Sequence, residues 1–114
     1  MSKFRAACVQ LRSGDDVRGN IQDAERWIRA AAKDGAQFIA TPENTTLMAP
    51  DGGAKLAHSY DESHDPALPV FAGLAKDLRV WLLIGSLAIK VSDTKTANRS
   101  FLFSPDGHVS VRYS

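Results

Sequence analysis

Apolar positions change period along this chain, and each change marks an element. Phe4 to Leu11 is a mostly apolar run with little polar alternation, as expected of a strand covered on both faces. Ser13-Gly14-Asp15-Asp16 breaks it and offers an N-cap. Val17, Ile21, Ala24, Ile28 and Ala31 then recur at spacings of four and three. That places them on one helical face, while Arg18, Gln22, Glu25, Arg29 and Lys33 lie largely elsewhere. With Gly35 as the C′ residue, Asp16 to Asp34 reads as an amphipathic helix packed on a sheet.

Gln37 to Ala40 is a short second strand closed by Thr41-Pro42. From Glu43 to Pro66 the periodicity dissolves into Gly, Asp, His and Ser with scattered apolar residues, leaving room for one short helix near Ala54 to His58. Long irregular segments in compact domains are commonly functional. Leu68, Phe71, Leu74, Ala75 and Leu78 have helical spacing, with Pro69 tolerated in the first turn. Val80 to Ile89 is a buried strand. Ala97 to Ser104 and His108 to Ser114 flank the turn Ser104-Pro105-Asp106-Gly107 and read as an antiparallel hairpin. In its second arm Val109, Val111 and Tyr113 are expected on one face, His108, Ser110 and Arg112 on the other. The order β-α-β-α-β-β-β begins as α/β layers and ends as a meander. A flavodoxin-like or receiver-like domain would instead need five parallel strands.

Composition narrows the function classes. The net charge of +1 is spread over interspersed residues, unlike the basic stripe of a nucleic-acid binder. Met1 to Arg5 leads into the first strand without the apolar core of a signal peptide, and later apolar runs are too short to span a membrane. A cytoplasmic location is expected. The single cysteine, Cys8, excludes an intrachain disulfide; inside an apolar strand it is expected to pack as a small hydrophobe. His58, His64 and His108 have Asp61, Glu62 and Asp65 nearby, but their spacing fits no helical zinc pair or knuckle, so a solvated acidic loop is expected. Asn44-Thr45-Thr46 and Asn98-Arg99-Ser100 match the glycosylation pattern, which carries no weight without a secretory signal. No phosphate-binding GxxxxGK[ST] or GxGxxG motif is present.

Four segments, in order, carry a family resemblance. They are Ala6-Ala7-Cys8-Val9-Gln10; Ala30-Ala31-Ala32-Lys33-Asp34-Gly35-Ala36; Phe38-Ile39-Ala40-Thr41-Pro42-Glu43-Asn44; and Asn98 through Gly107 to Arg112-Tyr113. Together they resemble the N-terminal portion of a nitrilase-superfamily carbon–nitrogen hydrolase, with the tail similar to the omega-amidase-like branch. The resemblance implies the N-terminal part of a four-layer αββα sandwich, residues 1–114 being a partial domain. It implies hydrolysis of a small amide or nitrile by a Glu-Lys-Cys triad, with Glu43 as general base and no metal or organic cofactor. The lysine would follow Ser114 almost at once and the nucleophilic cysteine would lie well beyond it, so the 114-residue chain alone is expected to be inactive. A complete protein of this kind is expected to be a homo-oligomer.

The chemistry has a physical logic. A thiol needs a nearby base to become a thiolate at neutral pH, and the oxyanion formed on attack needs a fixed positive charge. Without the resemblance, Glu43 would read as an acidic residue opening a helical turn. Lys90 and Lys95 fall at a strand end and in a polar turn, where exposure is expected. Arg112 could flank the site, but a planar guanidinium does not replace a compact ammonium. Tyr60 and its loop could line a pocket. The competing reading is a non-catalytic α/β interaction domain that keeps part of the hydrolase scaffold. A fragment should leave an unpaired strand or an open apolar face at the C-terminal hairpin, whereas a stand-alone domain should protect it.

Overall fold

The computed structural model describes residues 4–114, so the first three residues of the Met1 to Arg5 segment, read as lacking the apolar core of a signal peptide, lie outside the described residues. The elements are β1 (Ala6–Cys8), α1 (Val17–Lys33), β2 (Phe38–Ala40), α2 (Gly52–His58), a 3₁₀ turn (Glu62–His64), α3 (Ala67–Leu78), β3 (Trp81–Lys90), β4 (Thr96–Phe103) and β5 (Val109–Tyr113). The sheet order is β1-β2-β3-β4-β5. The first three strands are parallel, and β4 and β5 extend them antiparallel as a meander. The expected order of α/β layers followed by a hairpin therefore holds.

Local chemistry explains the helix ends. The Asp16 carboxylate accepts the Gly19 N–H at 3.2 Å, capping α1. Gly35, at φ 96°, takes the left-handed turn that stops it. Asp51 caps α2 through the Ala54 N–H at 2.8 Å, and that helix starts two residues before the expected Ala54. Arg79, at φ 55°, closes α3.

One face of the sheet is covered. Ile21, Ala24 and Ile28 of α1 and Phe71, Leu74 and Ala75 of α3 pack on Ile39, Leu82, Ile84, Phe101 and Phe103, all buried. The alternate residues face the other way. There Cys8, Ala40, Leu83, Leu102 and Val111 form one cross-strand row, with Phe38 and Trp81 beside it. This second face is largely uncovered: Trp81 is 41% and Tyr113 74% exposed.

Three expectations are corrected here. The first strand is three residues long, not Phe4 to Leu11, and lies at the sheet edge with only its helix side covered. Cys8 is consequently exposed rather than a core residue. In the hairpin, a register shift between Leu102 and Phe103 moves Val109 off the face it was expected to share with Val111 and Tyr113, while Arg112 stays opposite those two as expected. Val109 pairs with Phe103 and joins the core, whereas Val111 pairs with Leu102 on the open face, and Arg112 pairs with Phe101 on the helix side.

Asp65 gives this layer a pH dependence. Its carboxylate is buried and accepts the Ala67 N–H at 2.8 Å at the start of α3. Burial raises its pKa above the ordinary 3.8, with the hydrogen bond opposing that shift. A raised folded value means that this residue's contribution to stability falls as pH climbs from 3.8 through that value, and then stays low. Asp65→Asn retains an acceptor without the charge. It should match or exceed the wild type in urea unfolding at pH 7, and the difference should shrink as pH falls toward 4. Asp65→Ala should lose about 1 kcal/mol at pH 7.

Candidate active site

Glu43 stands where β2 leaves the sheet. Thr41 continues the ladder, its N–H donating to the Leu83 carbonyl at 2.9 Å. The chain then turns tightly over β3. The Thr45 hydroxyl meets the Pro42 carbonyl at 2.6 Å and the Thr41 hydroxyl at 2.8 Å. The Asn44 N–H donates to Ser86 Oγ at 2.9 Å, and the Thr45 N–H donates to the Ser86 carbonyl at 3.0 Å. Thr41 and Thr45 are buried, so these bonds are shielded from water. Asn44 adopts the left-handed φ of 53°, and its Oδ1 is buried with no hydrogen-bond partner among the described residues.

The turn is braced from outside as well. Ser13 Oγ donates to the Thr45 carbonyl at 2.7 Å. Asn20, buried on α1, donates to the carbonyls of Thr46 and Gly14 at 2.8 Å each and accepts the Gly14 N–H at 3.1 Å. Asn20→Ala removes the side-chain partner of the Thr46 carbonyl in a buried hydrogen bond and two ties to Gly14, and should lower stability by about 2 kcal/mol in urea unfolding.

Held this way, Glu43 projects an exposed carboxylate with no hydrogen-bond or ion-pair partner among the described residues. A rigid backbone carrying an unengaged carboxylate is suited to accepting a proton from a group brought to it.

The sheet brings the end of β5 to the same place. Because β4 reverses direction and β5 reverses it again, β5 runs parallel to β2 and β3. Ser100 Oγ donates to the Gly85 carbonyl at 2.6 Å, and Ser100 pairs with Tyr113. Tyr113 therefore lies two strand spacings from Gly85, about 10 Å. Thr41 and Pro42 pass directly over Gly85. Glu43 and Ser114 thus share one end of the sheet, where sites gather in layered α/β folds.

The other candidates are placed less centrally. Cys8 lies on the open face of the edge strand. His64 Nδ1 is 2.8 Å from Asp61 in an exposed local pair, and hydrogen bonds from Ser63 and then His64 hold the Asp61 carboxyl below its usual range. Among the described residues no group of three or more His, Cys, Asp or Glu is arranged to hold a metal. Tyr60 bridges to Ile89 at the end of β3. Lys95 is exposed in its turn. Arg99 and Arg112 converge on Glu62 at 3.1 Å each. A groove of about 660 Å³ lies between β1 and α1, lined by Ala7, Val9, Trp27 and Ala31, and contains no part of the Glu43 turn.

Sequence reasoning missed the residues that hold Glu43: Asn20, Thr41, Thr45, Gly85, Ser86 and Ser100. The legible signal was Gly85-Ser86 inside an apolar strand, since a glycine there marks a close approach of another backbone.

Residues 5–114 match the family model described as carbon–nitrogen hydrolase. The chain is 29% identical over 116 residues to a deaminated glutathione amidase of Yersinia enterocolitica, covering 99% of this chain and 40% of that protein. It is 26% identical to an omega-amidase of Homo sapiens, with 99% and 40% covered. An amidase from Nesterenkonia sp. AN1, solved with acrylamide added to its active-site cysteine, superimposes with a TM-score of 0.83 at 22% identity, covering 97% of this chain and 43% of that one. The chain thus spans about 40% of the length of these relatives.

Proposed function

The chain belongs to the carbon–nitrogen hydrolase family, and from that premise we propose that residues 1–114 are the base-bearing N-terminal portion of an amidase. Glu43 is the general base. The observation that carries this reading is the rigid turn presenting Glu43 at the sheet end where β5 also finishes. A lysine soon after Ser114 would leave β5 facing the same space, and a cysteine from the remainder of the protein would complete the triad.

The chemistry runs in two halves. Glu43 takes the thiol proton as the sulfur attacks the carbonyl carbon, and the lysine ammonium stabilises the oxyanion. The tetrahedral intermediate collapses to a thioester as the amine leaves, carrying the proton from Glu43. Water attacks the thioester, its proton passing to Glu43; the C–S bond then breaks, releasing a carboxylic acid and a thiolate that recovers the proton from Glu43.

The substrate is a small amide bearing a carboxylate, in keeping with the omega-amidase among the relatives; a nitrile is the alternative substrate class. No cofactor is needed. The open face of the sheet is covered by a second sheet of the complete protein, giving the four-layer sandwich, and the complete protein is a homo-oligomer of the cytoplasm. Among the described residues no helix is long and apolar enough to cross a membrane. The 114-residue chain alone is inactive, since it holds the base without the lysine and the nucleophilic cysteine of the triad.

The test is to measure the intact mass of the protein from its source and its release of ammonia from short dicarboxylic monoamides. A mass well above 12.4 kDa, with ammonia release lost in Glu43→Gln, supports the reading. A mass of 12.4 kDa overturns it in favour of a non-catalytic interaction domain.

A further inference from the structure

Glu62 opens the 3₁₀ turn ahead of α3, far in sequence from the strands it touches. One carboxylate oxygen is 3.1 Å from Arg99 Nη1 of β4, and the other is 3.1 Å from Arg112 Nη2 of β5. Arg99 Nε in turn donates to Ser114 Oγ at 2.8 Å. The cluster is partly shielded, with the Arg99 and Glu62 side chains only 23% and 30% exposed. An isolated surface pair would do little, but one carboxylate shared by two guanidiniums is a different arrangement. Arg99 and Arg112 sit on adjacent strands and on the same side of the sheet, since Phe101 follows Arg99 by two and pairs with Arg112. Like charges so placed repel, and would splay the end of the hairpin. Glu62 neutralises one of them and ties both to the loop that begins at Glu43. Two guanidiniums around one carboxylate fix a direction as well as a distance.

We propose that Glu62 is a positioning residue for the hydrolysis: by holding Arg99 and Arg112 it fixes the end of β5, and the segment leaving it, against the Glu43 turn. This rests on the reading of Glu43 as base and of a lysine following β5. Glu62 touches neither substrate nor the reacting atoms; it acts by keeping the oxyanion-stabilising charge in place.

The experiment uses the complete protein in a Cys8→Ser background, so that alkylation reports the nucleophilic cysteine without a contribution from Cys8. Two rates are measured: amide turnover, and alkylation of the nucleophilic cysteine by iodoacetamide, which reports the base alone. Glu62→Gln should lower kcat about tenfold with KM within about twofold, while the alkylation rate stays at the wild-type value. Glu43→Gln should slow both rates. Unchanged turnover in Glu62→Gln, with Glu43→Gln inactive, overturns the positioning role and leaves the base assignment standing. Loss of turnover and alkylation together in Glu62→Gln, with a lowered melting temperature, also overturns it, because the residue would then be merely structural. Wild-type turnover in Glu43→Gln removes the base assignment itself. If Glu62→Gln does not fold, Arg112→Gln, which releases one arm of the bridge at a half-exposed side chain, is judged by the same two rates.

Discussion

Glu43→Gln in the complete protein should lower kcat for amide hydrolysis by about 10²–10⁴-fold, with little change in KM. Glutamine has the same shape but cannot accept the thiol proton, so the sulfur would attack only through its small thiolate fraction. The thioester step would suffer too, because the same carboxylate activates water. The variant is a clean test because the Glu43 side chain is exposed and holds nothing in place among the described residues. The bonds that set its turn run through the Thr41, Asn44, Thr45 and Ser86 groups. Stability should stay within about 0.5 kcal/mol of wild type. Steady-state kinetics and urea unfolding on the same preparation check both halves. Retained turnover would remove Glu43 from the mechanism, while lost turnover with a collapsed fold would leave the assignment without support.

Gly85→Ala should be the most damaging single-methyl change in the chain. A Cβ at Gly85 would lie 2.5 Å from the Pro42 carbonyl carbon and 2.6 Å from its oxygen, and closer still to the Thr41 carbonyl oxygen. These are backbone atoms, which cannot swing aside as a flexible side chain could. Either β3 shifts or the turn carrying Glu43 lifts away. The loss should be about 3 kcal/mol in urea unfolding. In the complete protein it should be accompanied by a drop in kcat, because the displaced segment is the one that aims the base. Wild-type stability in Gly85→Ala would mean that the turn does not pass over β3 as described.

How much of this was readable in advance depended on how local each feature is. The helix α1 follows from spacing and an adjacent capping aspartate, and the structure places it within a residue of the reading. The break at Thr41-Pro42 and the turn at Ser104 to Gly107 are equally local. The first strand was misread because an apolar run does not say how many layers cover it. At the sheet edge, with helices on one side only, Cys8 is left exposed. Val109 was placed on the wrong face because one extra residue in a bulge flips the side chains beyond it relative to those before it, and nothing in Val109-Ser110-Val111 announces that residue.

The candidate site divides in the same way. Glu43 was legible only through the resemblance of its strand-to-loop step; as a residue it is one acidic side chain among thirteen. Its supports were not legible, because Asn20, Ser86 and Ser100 are scattered over eighty residues of ordinary polar positions. Glu62 belongs with them, since no local pattern joins residue 62 to residues 99 and 112. Sequence by itself determined the elements, their order and the change from parallel layers to a meander, because capping, periodicity and turn preference act over a few residues. Only the tertiary structure decided which sheet face is covered, which backbone may pass over Gly85 and which acid meets two arginines. Those outcomes depend on strand register and chain crossing, which bring together groups that no short-range preference relates.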